Sequence, residues 1–191
     1  MKNNYALQKM IENTPRILIC DRASYKKSKF ELVQWVDLLC FDTEAEVKEY
    51  ISEQLKTWDE DRPLPDGPRK DPIIVNSENI PKFFIEENYM DFASFYHYLK
   101  IHDSYEEGAV LAFLESGLFD HEDYAELEEA FEGLYKGMHD NDENFAKYIA
   151  DKIGYFNQKH EWPADCVDWS RAASDLMIDY VEINNHYFQS N

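Results

Sequence analysis

The amino-acid sequence predicts an α+β fold of three small domains with antiparallel sheets. Three observations predict it. Two β-rich runs lie near the start of the chain, an aromatic-rich helical pattern fills the middle, and the last segment alternates amphipathic helices with a closing hairpin. The predicted parts are an N-terminal extension, a β-β-α-β domain, a helical domain and an α+β domain with a terminal hairpin, at residues 1–14, 15–80, 81–118 and 119–191 respectively.

The first domain begins with a β-rich run at Arg16. A second run from Glu31 to Leu38 follows, and the basic stretch between the two runs is expected to connect them as a hairpin. Thr43 and Glu46 form a capping box that starts a helix, in which apolar side chains recur at helical spacing opposite acidic ones. Prolines then mark a loop up to Pro72, where a short strand (PIIVN) begins.

The remaining patterns are mostly helical. An aromatic-rich segment from Tyr89 to Gly117 is expected to form two helices, the second of which Gly117 ends. The Asn184-Asn185 pair predicts the turn of a closing hairpin, because asparagine tolerates positive φ. The other expected elements are a helix at 122–132, a strand within 132–138, a helix at 141–153 that buries Phe145, Tyr148, Ile149 and Ile153, a helix near 168–178, and hairpin strands at 180–183 and 186–188.

The charge balance excludes several classes of function. The 191 residues include 39 acidic and 19 basic side chains, a formal net charge of −20. Proteins that bind nucleic acid or anionic lipid need positive patches, so neither partner is expected. No membrane span or secretory signal is expected, and three widely spaced cysteines fit a reducing compartment, so the expected location is the cytoplasm.

The sequence offers no positive evidence for catalysis. It contains no nucleophile elbow, no Walker A motif and no dinucleotide fingerprint. The segment from Asp140 to Asp151 approaches the spacing of a calcium-binding loop, but Phe145 stands where such a loop needs glycine. We therefore expect a protein that is not an enzyme and that has neither a metal site nor a cofactor.

The acidity is concentrated in one part of the chain. Residues 101–151 hold 15 acidic and two basic side chains, whereas residues 1–30 hold two acidic and seven basic ones. Glu122, Glu126 and Glu129 are expected to share a helix face without a basic neighbour, an arrangement that costs helix stability. On the next helix, Lys147 is expected between Glu143 and Asp151. Unrelieved repulsion indicates a use for the charge, and rows of carboxylates can approach the charge density of duplex DNA.

Several short segments, in order along the chain, carry a family resemblance. They are Pro15-Arg16-Ile17, Trp35-Val36-Asp37-Leu38, Phe41-Asp42, the acidic helix Thr43–Leu55, Phe131–Gly137, Phe145–Gly154, Asp168-Trp169 and Asp179–Phe188. On these segments, which span about residues 15–188, the chain resembles the ArdA family of antirestriction proteins.

The resemblance implies a fold and a function. ArdA-like proteins are DNA mimics of mobile genetic elements: elongated, dimeric, built of three small domains and without a cofactor. They inhibit type I restriction–modification enzymes by occupying the DNA-binding surface of the methyltransferase core. The implied functional residues are surface carboxylates, here Glu44, Glu46, Glu49, Glu53, Asp103, Glu106, Glu107, Glu115, Asp120, Glu122, Asp123, Glu126, Glu128, Glu129, Asp140, Asp142, Glu143 and Asp151.

Three alternatives stay open at this point. The chain could be an acidic interaction module for another basic DNA-binding partner, an enzyme of unrecognised type, or a protein whose acidity serves solubility alone. The chain also departs from the family pattern in Lys26-Lys27-Ser28-Lys29, in residues 1–14 and in the proline-rich loop at 61–72. Basic residues at 26–29 would weaken mimicry of DNA at that end.

Overall fold

The chain has the predicted α+β fold, with mixed helices and antiparallel sheets. A computed structural model describes residues 14–26, 32–65, 67–102, 104–106, 108–120, 123–155 and 166–190. The predicted extension therefore lies outside the described residues, apart from Thr14. The chain divides into two compact units between Tyr96 and His97. The finer division into three domains stays a prediction.

The first unit contains an antiparallel sheet of order β2-β1-β3. β1 lies at the centre, and its Ile17 pairs with Val36 on one side and with Ser77 on the other. The side chains of Ile17 and Ile19 are buried, and so is the apolar stripe of α2 that the helical spacing predicted. The elements are β1 (Arg16–Asp21), α1 (Arg22–Lys26), β2 (Val33–Asp37), α2 (Glu44–Asp61), β3 (Pro72–Glu78), β4 (Ile85–Glu86) and β5 (Tyr89–Met90).

Two features of this unit differ from the prediction. The connection between β1 and β2, for which no helix was predicted, opens with the short helix α1. Tyr89 and Met90 form a two-residue strand paired with β4, and helix α3 (Phe92–His102) begins only after them. Strands of two residues are too short to show an alternating pattern, which explains why the sequence did not reveal this hairpin.

The second unit is built around a sheet of order β6-β8-β7. Asn184 and Asn185 have φ values of 54° and 68°, which confirms the predicted hairpin turn. The core is aromatic: the rings of Phe145 and Tyr187 stack with centroids 4.3 Å apart, and Phe131 packs on Phe188. The elements are α4 (Ala109–Glu115), α5 (Leu127–Leu134), β6 (Tyr135–Met138), α6 (Asp142–Lys152), α7 (Trp169–Leu176), β7 (Tyr180–Ile183) and β8 (His186–Gln189).

Helix boundaries in this unit correct two expectations. The predicted helix at 122–132 is a 3-10 turn, Tyr124–Glu126, followed by α5, and Glu132 lies in α5 rather than in a strand. Ile153 is 70% exposed because α6 ends at Lys152. Gly154, two residues later, adopts a φ of +72°. The apolar stripe therefore extends one residue past the last turn that could bury it. No helix in the described ranges is both long and apolar enough to cross a membrane.

Candidate protein-interaction surface

Helix α2 presents an acidic face in the first unit. Glu46, Glu49 and Glu53 are exposed, on the side opposite the buried stripe. Glu46 also has a structural role: its N–H donates to Thr43 Oγ1 at 3.3 Å, and its Oε2 accepts the N–H of Asp42 at 2.8 Å. The capping box is therefore confirmed, and Glu46 is held in place while it remains exposed to solvent.

Glu44 is the least available of the α2 carboxylates. Its side chain is partly buried and forms an ion pair with Lys48, one turn further along the helix. This contact raises the pKa of the Lys48 ammonium, chiefly through the hydrogen bond to Glu44. A basic group of a partner would have to displace Lys48 in order to reach Glu44.

The start of α5 carries carboxylates without basic partners. Glu128 and Glu129 are exposed in its first turn, and exposed Glu126 occupies its N-cap position. We call these three residues the α5 acidic face. None of the three forms an ion pair with any residue that the structure describes. Carboxylates at a helix N-terminus are favoured by the helix dipole, which offsets part of their mutual repulsion.

Tyrosine hydroxyl groups fix three carboxylates of the second unit. Three O–H···O bonds of 2.6–2.8 Å hold these acidic groups in defined positions while leaving other carboxylate lone pairs open to solvent. The donors and acceptors are Tyr135 to Glu106 at 2.6 Å, Tyr187 to Asp142 at 2.7 Å and Tyr105 to Glu132 at 2.8 Å.

These bonds change how the phenol groups titrate. The hydrogen bond to Glu132 raises the pKa of Tyr105 to about 12. Burial, followed by the bonds to Glu106 and Asp142, raises the pKa values of Tyr135 and Tyr187 well above the ordinary range. Each phenol is therefore protonated at neutral pH and donates a hydrogen bond to its carboxylate.

Substitution Glu132→Gln is expected to lower the pKa of Tyr105 from about 12 toward the ordinary value near 10. Folding raises the pKa of Tyr105, so the hydrogen bond to Glu132 stabilises the folded state below about pH 10. That stabilisation is lost as the pH rises through about 12. NMR titration of chain labelled at the tyrosine Cζ carbon measures the shift. The Tyr96 signal serves as the control, because that pKa is raised chiefly by burial. An unchanged Tyr105 titration in the variant would contradict the assignment.

Helix α6 contributes Glu143 and Asp151, both exposed. Lys147 lies between them on the helix, as expected, and its Nζ lies over the ring of Trp169, 5.7 Å from the centroid. Lys152 lies in the same way over Tyr148, at 5.5 Å. Neither Glu143 nor Asp151 forms an ion pair within the described ranges, because the nearby lysines contact aromatic rings instead.

The other predicted residues fall into two groups. Glu115, Asp120, Asp123 and Asp140 are exposed; Asp123 accepts the N–H of Ala125 at 3.1 Å. Asn184 Nδ2 donates a long bond of 3.5 Å to Glu115. The second group lies outside the part of the chain that the structure describes and consists of Asp103, Glu107 and Glu122.

Sequence reasoning missed two carboxylates of the second unit. Glu132 belongs to α5 and accepts the Tyr105 hydroxyl, and Glu182 accepts the N–H of Asn185 at 2.5 Å. Glu132 follows Glu128 by four residues, so the helical period could have placed it next to the α5 acidic face. Nothing in the local pattern around Glu182 indicates its contact with the turn.

The two units differ in charge. Residues 97–191 contain 21 acidic and six basic side chains, or −15, whereas residues 1–96 contain 18 and 13, or −5. The described residues include no group of three or more histidine, cysteine, aspartate or glutamate side chains arranged to hold a metal ion. Comparison of the chain with protein-family models, curated proteins and solved structures found no match.

Proposed function

We propose that this chain is an antirestriction protein that acts as a DNA mimic. It inhibits type I restriction–modification enzymes by placing its acidic surface in the DNA-binding groove of the methyltransferase core, without catalysing a reaction. The observation that carries the proposal is the set of exposed carboxylates on α5 and α6 that have no basic partner among the described residues. The family resemblance of the sequence supports the same conclusion.

The mechanism is electrostatic occlusion. Duplex DNA carries about one negative charge per 1.7 Å of its axis, and a groove that binds DNA presents lysine and arginine side chains to match. Tyr105, Tyr135 and Tyr187 hold three carboxylates in fixed positions. These carboxylates accept hydrogen bonds from the lysine and arginine side chains of such a groove. Association of oppositely charged surfaces is accelerated by long-range attraction and weakened by salt.

The proposal includes three further expectations from the resemblance. The protein acts in the cytoplasm, where restriction enzymes meet incoming DNA. It acts as a homodimer, and it needs no cofactor, because binding alone blocks the groove.

A competition experiment tests this function. A fluorescent duplex is bound to a type I methyltransferase core, and the full chain is titrated in at 50 mM and 200 mM salt. We expect displacement of the duplex, with an inhibitory concentration that rises about tenfold or more at the higher salt, because many charge pairs form together. Anisotropy of the labelled duplex measures the displacement.

A parallel titration separates specific mimicry from general acidity. The same chain is added to duplex bound by a DNA-binding protein unrelated to restriction. Equal displacement from both proteins would favour an acidic module for other basic partners. No displacement from several type I enzymes at either salt concentration would contradict the proposed function.

A further inference from the structure

The first unit contains a cleft that the acidic surface does not use. It has a volume of about 620 Å³ and lies between α2, the loop before β3 and the β4–β5 hairpin. The size is within the usual range for small-molecule sites, about 300–1,000 Å³. Its apolar lining comes from β1, α2, β3, β5 and α3, and the lining residues include Ile19, Ile51, Leu55, Ile74, Met90 and Phe92.

The edge of this cleft is basic, although the chain as a whole is strongly acidic. Lys48, Ser52 and Lys56 follow one another at four-residue spacing along α2, and Lys70 lies in the facing loop. Lys48 is paired with Glu44. Lys56 and Lys70 are exposed and form no ion pair within the described part of the chain. Two cations with no counter-ion among the described residues thus lie beside an apolar cavity.

The loop that carries Lys70 is fixed rather than loosely attached. The neighbouring Arg69 is buried and donates to the carbonyl oxygens of Trp58 at 3.1 Å and Arg62 at 2.8 Å. Its Nη1 also donates to Asp59 Oδ1 at 2.6 Å. These bonds join the loop to the end of α2, so the two sides of the cleft are held in place before any ligand binds.

We propose that this cleft binds a small amphiphilic anion: an apolar chain or ring that carries a carboxylate or a phosphate. The apolar part fills the cavity between Ile51, Leu55 and Met90, and the anionic group meets Lys56 and Lys70 at the edge. Charge complementarity selects the anion, because a neutral molecule of equal size gains the apolar contacts alone.

Three probes with the same eight-carbon alkyl chain test the proposal: nonanoate, octyl phosphate and 1-octanol. Each is titrated into the isotope-labelled full chain and followed by NMR shifts of the methyl groups of Ile51, Ile74 and Met90. We expect at least one anion to bind about fivefold or more tightly than 1-octanol. The tighter of the two anions identifies the head group. Equal affinity for the alcohol and both anions, or shifts confined to residues outside the cleft, would overturn the proposal.

Variants locate the binding. Lys56→Glu with Lys70→Glu is expected to weaken binding of the anion about fivefold or more and to leave 1-octanol unaffected. The control, Lys82→Glu with Lys100→Glu, makes the same change in net charge at exposed lysines outside the cleft. Ser52→Trp places a large ring at the edge and is expected to abolish binding of all three probes. Equal weakening of anion binding by both double variants, or undiminished binding to Ser52→Trp, would contradict the location of the site in this cleft.

Discussion

Replacement of Arg69 by alanine is expected to lower the free energy of unfolding by about 3–5 kcal/mol. The Arg69 side chain is 3% exposed, and its Nε lies 3.5 Å from Oδ2 of Asp21, whose side chain is 1% exposed. Truncation leaves the Asp21 carboxylate buried without this cation. It also removes the donor to the carbonyl oxygens of Trp58 and Arg62 near the end of α2. The loss therefore combines removal of the cation beside a buried carboxylate with loss of the side-chain hydrogen bonds to the end of α2.

Urea denaturation, followed by the amide NMR signals of β1, measures this effect within the first unit. The matched control is Arg16→Ala, which removes an ion pair with Glu78 in which both side chains are about 40% exposed. That change is expected to cost about 1 kcal/mol or less, because solvent screens a surface pair. The double variant Asp21→Asn with Arg69→Met should recover part of the loss, since neither member of the Asp21–Arg69 pair then carries a buried charge. Equal effects of Arg69→Ala and Arg16→Ala would contradict the structural role of Arg69.

Local signals in the sequence predicted most of the fold correctly. The capping box at Thr43 and the Asn184-Asn185 turn depend on neighbouring residues, and both occur in the structure as expected. The exposure of Glu49 and Glu53 followed from the helical period, because an apolar stripe fixes which face is buried. Where the physical cause is local, a single sequence is sufficient.

Contacts between residues distant in the chain could not be predicted in this way. Asp21 and Arg69 belong to a strand and a loop 48 positions apart, and neither local pattern indicates a buried charge. The bond from Tyr135 to Glu106 likewise joins β6 to the segment before α4, so the sequence could name the carboxylate but not its donor. Nothing in the proline-rich pattern before β3 indicated that Arg69 would be buried and bonded to the end of α2.

The double variant Glu128→Gln with Glu129→Gln is expected to raise the concentration needed to displace DNA from a type I methyltransferase core. We expect a three- to tenfold rise at 50 mM salt, corresponding to about 0.3–0.7 kcal/mol for each exposed charge pair lost. The salt dependence should also become shallower, because fewer charge pairs form on binding. Displacement of a fluorescent duplex, measured at two salt concentrations, gives both quantities.

The control for this prediction is Glu86→Gln with Glu87→Gln. It removes two adjacent exposed carboxylates from the β4–β5 hairpin, and neither belongs to the predicted DNA-mimic set. Both double variants change the net charge by the same amount, so a general effect of charge would weaken inhibition equally in the two. A mimic acts through the position of its charges, and only the α5 variant should then lose affinity. Equal losses would show that net charge alone drives binding, and the α5 acidic face would have no special role.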